Sequence, residues 1–249
     1  MSSNADMVSS CFYEAKLMTA DLSEALLDHA DLRKAFIMEA NLFNTKVRYA
    51  NMEKSVLASS NLIGTDFEKS NLTYANLDHA FMENSNLKGT DLSYASMFGA
   101  DMRGAIMDDT VLDNANLSCV SLWKTTLPKT LQYVNFSNAH LNFTNMKGAL
   151  LVQVNFKSAD MRNANLEGAE IIADFSHVDL RKTNLRGALL LGGTNLTTAT
   201  INLSEAGVDI DFSEDDLLGD APEGIDFDIT ELENDGADTH DDPDDPDGR

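Results

Sequence analysis

A small residue and a large apolar residue recur together every five positions through most of this chain. Every fifth position from Ala5 to Thr125 gives 25 residues, of which 14 are Ala, five Ser, five Thr and one Val120. Two residues further on, from Met7 to Leu127, the 25 residues are 15 Leu, six Met, Phe12, Phe67, Ile37 and Val47. A helix repeats every 3.6 residues and would smear such a pattern around its axis, while a strand repeats every two and cannot hold an odd period. What the period does suit is a chain that takes a short extended step, turns, and repeats. Asp or Asn often stands between the small and the large residue, as at Asp21, Asp31, Asn41, Asn51, Asn61 and Asn71, and such residues favour turn geometry.

The word is therefore A(D/N)LXX, written plainly in Ala20-Asp21-Leu22, Ala30-Asp31-Leu32 and Ala40-Asn41-Leu42. Its phase slips near 128–133, where Pro128 to Tyr133 interrupt it, and it resumes at Val134-Asn135-Phe136. A second slip, one residue short, falls near 172–174, and a third, one residue long, at Gly192-Gly193. In all, 39 repeats cover roughly residues 5–203. This word resembles that of the pentapeptide-repeat family, and the match extends over about four-fifths of the chain. The resemblance implies an all-β fold, a right-handed quadrilateral β-helix with four repeats to a coil. The central Leu, Met or Phe and the small residue two before it then point inward, and the other three outward. Ten coils at the interstrand spacing make a rod about 48 Å long.

Aromatic residues are only 7% of the sequence, so this core is built from Leu, Met and Ala and its walls lie close together. No purely apolar run exceeds four residues, and no segment spans a bilayer. Net charge is −23, but residues 1–208 hold 23 acidic and 17 basic side chains, whereas 209–249 hold 18 acidic ones and only Arg249. The organisation expected is a rod over 1–208, a C-terminal cap over 209–220 with a short helix from Ser213, and an acidic, disordered tail over 221–249. Within that tail Ile225, Phe227, Ile229 and Leu232 alternate with acids and form a candidate partner-binding motif. A chain this acidic is not expected to bind nucleic acid or an anionic membrane directly.

No catalytic constellation is legible. Of the histidines His29, His79, His140, His177 and His240, His29 and His79 fall on different sides two to three coils apart and do not converge; there is no C-x-x-C or H-x-x-x-H pair for a metal, and no glycine-rich phosphate loop. Serines and threonines fall at small positions facing the core. Cys11 and Cys119, about five coils apart, are too distant for a bridge and fit reduced thiols in a cytoplasmic protein. The first six residues, Met1-Ser-Ser-Asn-Ala-Asp, carry no secretory signal, although a signal-less secretion route stays open. No cofactor or metal is expected. The outward positions of the early coils hold a candidate patch: Met18, Phe36, Met38, Val56 and Ala58 on one side, Phe43 and Ile63 on the next. Trp123, just before Pro128, is expected to pack on the irregular 128–133 segment.

The leading functional reading is a non-catalytic interaction scaffold or regulator. It would meet a protein partner through the rod faces and the acidic tail, with homodimerisation through an end or the patch as one version. A second reading follows from the resemblance. Some members mimic duplex DNA, bind DNA gyrase and other type II topoisomerases, and protect them from quinolones or toxins. Against it stand the rod's charge of only −6, the lack of a projecting loop, and centres that are mainly Leu rather than Phe. A third reading is a secreted effector.

Overall fold

The computed structural model describes residues 4–201 and the strand Asp209–Asp211. These residues form a right-handed, four-sided β-helix without any α-helix. Each side stacks on the side 20 residues later: Asp6 bridges Leu26, Cys11 bridges Asp31, Lys16 bridges Phe36 and Asp21 bridges Asn41, all in parallel. The faces are numbered 1 to 4 by their buried centres, among them Leu27 and Phe67 on face 1, Leu32 and Leu72 on face 2, Ile37 and Leu57 on face 3, and Leu42 and Leu62 on face 4.

Why five residues suffice for one side can be read from the backbone donors. In the repeat Ala40–Asn44 the Ala40 N–H closes a turn onto Ile37 O at 3.2 Å. The Asn41 N–H reaches back one coil to Ala20 O (2.9 Å), while those of Leu42 and Asn44 reach forward to Asn61 O (2.8 Å) and Ile63 O (3.0 Å). That leaves the Phe43 N–H, which donates to the Asn41 side-chain Oδ1 at 3.2 Å. All five donors are satisfied without a partner outside the helix, as buried backbone requires. The Asp or Asn of the word is thus an acceptor for the N–H two residues on. The sequence reading gave it a tolerance for turn geometry instead. The backbone twist falls on the last residue of the word, where positive φ recurs at 29 non-glycine residues among those described, such as Glu24 (58°), Glu39 (56°) and Tyr49 (57°). That is the third position of a type II turn, and an L-residue there costs about 1 kcal/mol or more. Gly64, at φ 67°, meets the same demand freely, and a Cβ there would collide with the Asn44 side chain.

The side-chain amides also link coils. Asn61 Nδ2 donates to Asn41 Oδ1 (3.0 Å) and Asn41 Nδ2 to Asp21 Oδ1 (3.1 Å), a ladder running along the rod. Inside, Thr at the small position donates to the central carbonyl one coil back, as Thr65 Oγ1 does to Leu42 O at 2.8 Å. Only Ser55 and Ser85 leave a buried hydroxyl without a partner among the described residues. Three core phenylalanines, Phe136, Phe156 and Phe175, stack with centroids 5.5 and 5.2 Å apart and planes within 6°.

From coil seven, face 2 becomes a regular five-stranded parallel sheet: β1 Thr130–Gln132, β2 Leu150–Asn155, β3 Glu170–Asp174, β4 Leu189–Leu191 and β5 Asp209–Asp211, paired in that order. The segment 128–133 is therefore not an interruption. Leu131 is fully buried and pairs with Leu151, so it is a central residue reached from Leu127 in a step of four. The missing residue makes a 19-residue coil, seen in the bridge Asn116↔Asn135. The slip near 172–174 is a register shift between Val152 and Val154 of β2 against β3, and the extra residue at Gly192-Gly193 lengthens the pairing Asp174↔Asn195 to 21. Residues 209–211, grouped with the cap by sequence, pair with β4 and extend face 2 by one rung. The helix expected from Ser213 and the tail over 221–249 lie outside the described residues.

Two substitutions separate satisfied from orphaned hydroxyls. Thr65→Val, which deletes a made bond, should lower stability by about 1 kcal/mol, whereas Ser55→Ala, which deletes an unmade one, should leave it equal or raise it by up to about 1 kcal/mol. Leu62→Ala, at a fully buried centre, should cost about 3–5 kcal/mol. Urea unfolding of the three variants against the parent measures all three differences.

Candidate interaction surfaces

Several outer carboxylates are compensated within their own repeat. In Asp31-Leu32-Arg33 the carboxylate accepts both the Arg33 N–H (3.2 Å) and its guanidinium (2.7 and 2.8 Å). The same arrangement joins Asp101 to Arg103, Asp160 to Arg162 and Asp179 to Arg181. The Arg162 hydrogen bonds hold the Asp160 carboxyl well below the usual carboxylate range, against an opposing push from burial. Arg181 lowers that of Asp179 in the same way. Exposed pairs of this kind add little stability, but they remove much of the field the carboxylates would otherwise project. What field remains is uneven: residues 4–117 carry 17 acidic and nine basic side chains, a net of −8, while 118–201 carry five and eight, a net of +3.

The register brings the early apolar residues onto neighbouring columns. Phe36 and Val56 bridge directly on face 3, one coil apart at the word's Asp/Asn position, and Met18, Met38 and Ala58 occupy the first turn position of the same face in three successive coils. Met18 and Phe36 are 46% and 40% exposed, and Met38, Val56 and Ala58 are half-buried. Phe43 and Ile63 lie on face 4, separated from this group by the Asn41–Asn61 amide ladder, so the sequence grouping resolves into two columns on either side of a corner.

Face 3 departs from this pattern of satisfied donors. With Lys16, Phe36 and Val56 in place of Asp or Asn, the N–H groups of Met18, Met38 and Ala58 have no acceptor among the described residues. Face 4 shows the contrast: the N–H groups of Ser23, Phe43 and Ile63 are held by Asp21, Asn41 and Asn61. Face 3 of the first three coils therefore presents a file of backbone donors about 4.8 Å apart, flanked by apolar side chains. Sequence inspection missed the donors, although the run of non-Asp/Asn residues at positions 16, 36 and 56 was their signal.

Elsewhere the corners carry aromatic stacks. His29 lies on Tyr49 at 5.0 Å, Tyr74 on Tyr94 at 4.9 Å, and His79 meets Phe98 edge-on at 5.2 Å. The expectation that Trp123 packs on 128–133 is not met. Trp123 instead lines a groove of about 370 Å³ with Asn142, Phe143, Arg162, Asn163 and Lys182, along the corner after face 4. Cys11 and Cys119 are exposed, unbridged thiols. Among the described residues there is no cluster able to hold a metal ion, and no helix long and apolar enough to cross a membrane. The tail motif Ile225, Phe227, Ile229 and Leu232 lies outside the described residues.

The family model for pentapeptide repeats matches in eight copies, over residues 20–57, 37–73, 69–104, 95–130 and 131–169. Among curated proteins, none matches the chain. Among solved structures, HetL from the cyanobacterium Nostoc sp. strain PCC 7120, a pentapeptide repeat protein involved in heterocyst differentiation regulation, is 29% identical. That match covers 80% of this chain and 83% of HetL, with a TM-score of 0.42. QnrB1, a plasmid-mediated fluoroquinolone resistance protein, is 17% identical over 84% of this chain and 91% of its own, with a TM-score of 0.34. Rfr23, a pentapeptide repeat protein from the cyanobacterium Cyanothece 51142, is 25% identical over 51% of this chain and 60% of its own, with a TM-score of 0.17.

The Asp–Arg pairs set a pH dependence with a definite sign. The Asp160 and Asp179 carboxyls are depressed in the folded chain. Their stabilisation is therefore complete above the unfolded carboxylate range, about pH 4, and is lost as pH falls through the lower folded values. Asp160→Asn keeps an acceptor for the Arg162 N–H but removes the titrating charge, so its stability should fall less than the parent's between about pH 4 and pH 2. Urea midpoints across that range test this, and an acid loss as steep as the parent's would refute the assignment.

Proposed function

The chain belongs to the pentapeptide-repeat family, and from that premise we propose that it is a non-catalytic protein-interaction scaffold whose partner docks on face 3 of the first three coils. The observation that carries this reading is the coincidence of exposed and half-buried apolar side chains with backbone donors at Met18, Met38 and Ala58 that are unmet among the described residues. A partner surface with apolar groups and a row of acceptors, such as an extended segment or a loop rich in carbonyls, satisfies both at once. Phe43 and Ile63, around the corner on face 4, widen the apolar area available to it. Because the surrounding fold is rigid and already formed, little ordering entropy opposes such docking.

Charge placement supports this reading over DNA mimicry. A decoy needs a continuous negative surface, whereas here Asp31, Asp101, Asp160 and Asp179 are each paired in place by the Arg two residues on, and the C-terminal half of the rod is net positive.

The word supplies its own test variant. Replacing Phe36 and Val56 by Asn restores the acceptor that most repeats carry, so Phe36→Asn/Val56→Asn should fold with a thermal midpoint equal to or above the parent's. It should also lose partner binding. Crosslinking in the source cell, compared between the parent and this variant at equal abundance, checks both consequences; a crosslinked set that is the same for both would overturn the reading. A gyrase supercoiling assay at low and high salt tests the decoy directly, and inhibition by the full chain that survives high salt would favour mimicry instead.

A further inference from the structure

The groove at Trp123 lies about three to six coils beyond the face 3 patch, on a different corner, and it has the opposite character. Its lining is aromatic at Trp123 and Phe143 and cationic at Arg162 and Lys182. Lys124 adds a third cation, its Nζ standing 4.2 Å from the Trp123 ring centroid. Arg162 is shared with Asp160, but Lys124 and Lys182 form no ion pair among the described residues. The groove sits in the only half of the rod that is net positive.

An occupant that fits must combine carboxylates with apolar side chains in extended order. The chain contains such a segment. In Ile225-Asp226-Phe227-Asp228-Ile229-Thr230-Glu231-Leu232, an extended backbone puts Ile225, Phe227 and Ile229 on one side and Asp226 and Asp228 on the other. We propose that this groove is the docking site of the chain's own segment Ile225–Leu232, with its apolar side against Trp123 and Phe143 and its carboxylates beside Lys124, Arg162 and Lys182.

Reach and concentration favour this occupant over an acidic peptide in trans. The last described strand, β5, ends at Asp211 two coils beyond the one that carries Lys182, about 10 Å along the axis at the coil spacing. Half a coil around the rod is a further ten residues of path, about 33 Å, and the 14 residues from Asp211 to Ile225 extend to about 48 Å. Tethering at that length gives a local concentration in the millimolar range. Residues 212–249 bring 16 acidic side chains against Arg249 alone, which complements the positive half of the rod. An external acidic segment that uses this groove must displace the internal one.

Trp123 is the chain's single tryptophan, so its fluorescence reports on the groove alone. The test compares acrylamide quenching and emission maximum in the full chain, in full-length Ile225→Ser/Phe227→Ser, and in full-length Lys182→Glu. The parent at about 50 mM salt should show a protected, blue-shifted Trp123, and about 0.5 M salt should weaken that protection by screening the carboxylates. Both variants should lose the protection while keeping the parent's thermal midpoint, which shows that the rod is intact. Equal quenching in the parent and the Ile225→Ser/Phe227→Ser variant would overturn the proposal. So would protection that rises with protein concentration, because the segment would then be binding a second copy.

Discussion

The structure depends on how one residue in five disposes of a single backbone N–H. In a regular repeat such as Ala40–Asn44, four of the five donors are met by main-chain carbonyls, one across a turn and three between coils. The fifth, on the first turn residue, points where no carbonyl lies, and the Asp or Asn two residues earlier meets it. Once that donor is satisfied, the chain can turn every five residues and still leave no polar backbone group bare. The left-handed residue that completes the turn is unfavourable for any side chain, and 29 non-glycine residues among those described adopt it. The bonds on either side of the turn over-determine the conformation, so the local penalty is absorbed repeat after repeat.

The same constraint defines which surface carries information. Inward positions are fixed by packing: a small residue where coils approach and a large one to fill the space between them. Outward positions are free except for the Asp/Asn acceptor, so a departure from the word there gives up that bond unless a carboxylate one coil back replaces it, as Asp28 does for the Arg48 N–H. Phe36 and Val56 make that departure in consecutive coils, leaving donors unmet among the described residues beside exposed or half-buried apolar groups. Where the word is kept and followed by Arg, as at Asp31-Leu32-Arg33, the surface is locally neutralised instead. Face 3 of the early coils and the groove at Trp123 are thus two chemically distinct places on one scaffold, apolar with donors at one and aromatic with cations at the other.

Much of the fold was legible because a parallel β-helix is a one-dimensional stack. Period, inward positions and coil length all follow from which residues recur. The slips were visible as slips, but their meaning was not. Leu131 looks like part of an interruption when read as a string beginning at Pro128, and only its pairing with Leu151 shows that a side of the coil can close with one residue fewer. Trp123 was misplaced for the same reason: its neighbours, Phe143, Arg162 and Lys182, come from the coils that follow and are not adjacent in sequence. For the early patch, the apolar residues could be sorted by a 20-residue rule, but the free N–H groups of Met18, Met38 and Ala58 emerge only when every donor has been followed to its acceptor.

By itself, then, the sequence determined the repeating unit, the inward faces and the stacking order, because a small and a large residue recurring through 39 words, 25 of them in unbroken phase, leave the backbone one way to bury them. Tertiary structure decided the rest: that Asp and Asn serve as acceptors, that a four-residue side fits at Leu131, and that cations and aromatics from four coils converge beside Trp123. The physical reason is that a one-residue slip changes which outward side chains share a column, and hydrogen-bond partners lie a full coil apart. Period fixes what is buried, while register between coils fixes what meets on the surface.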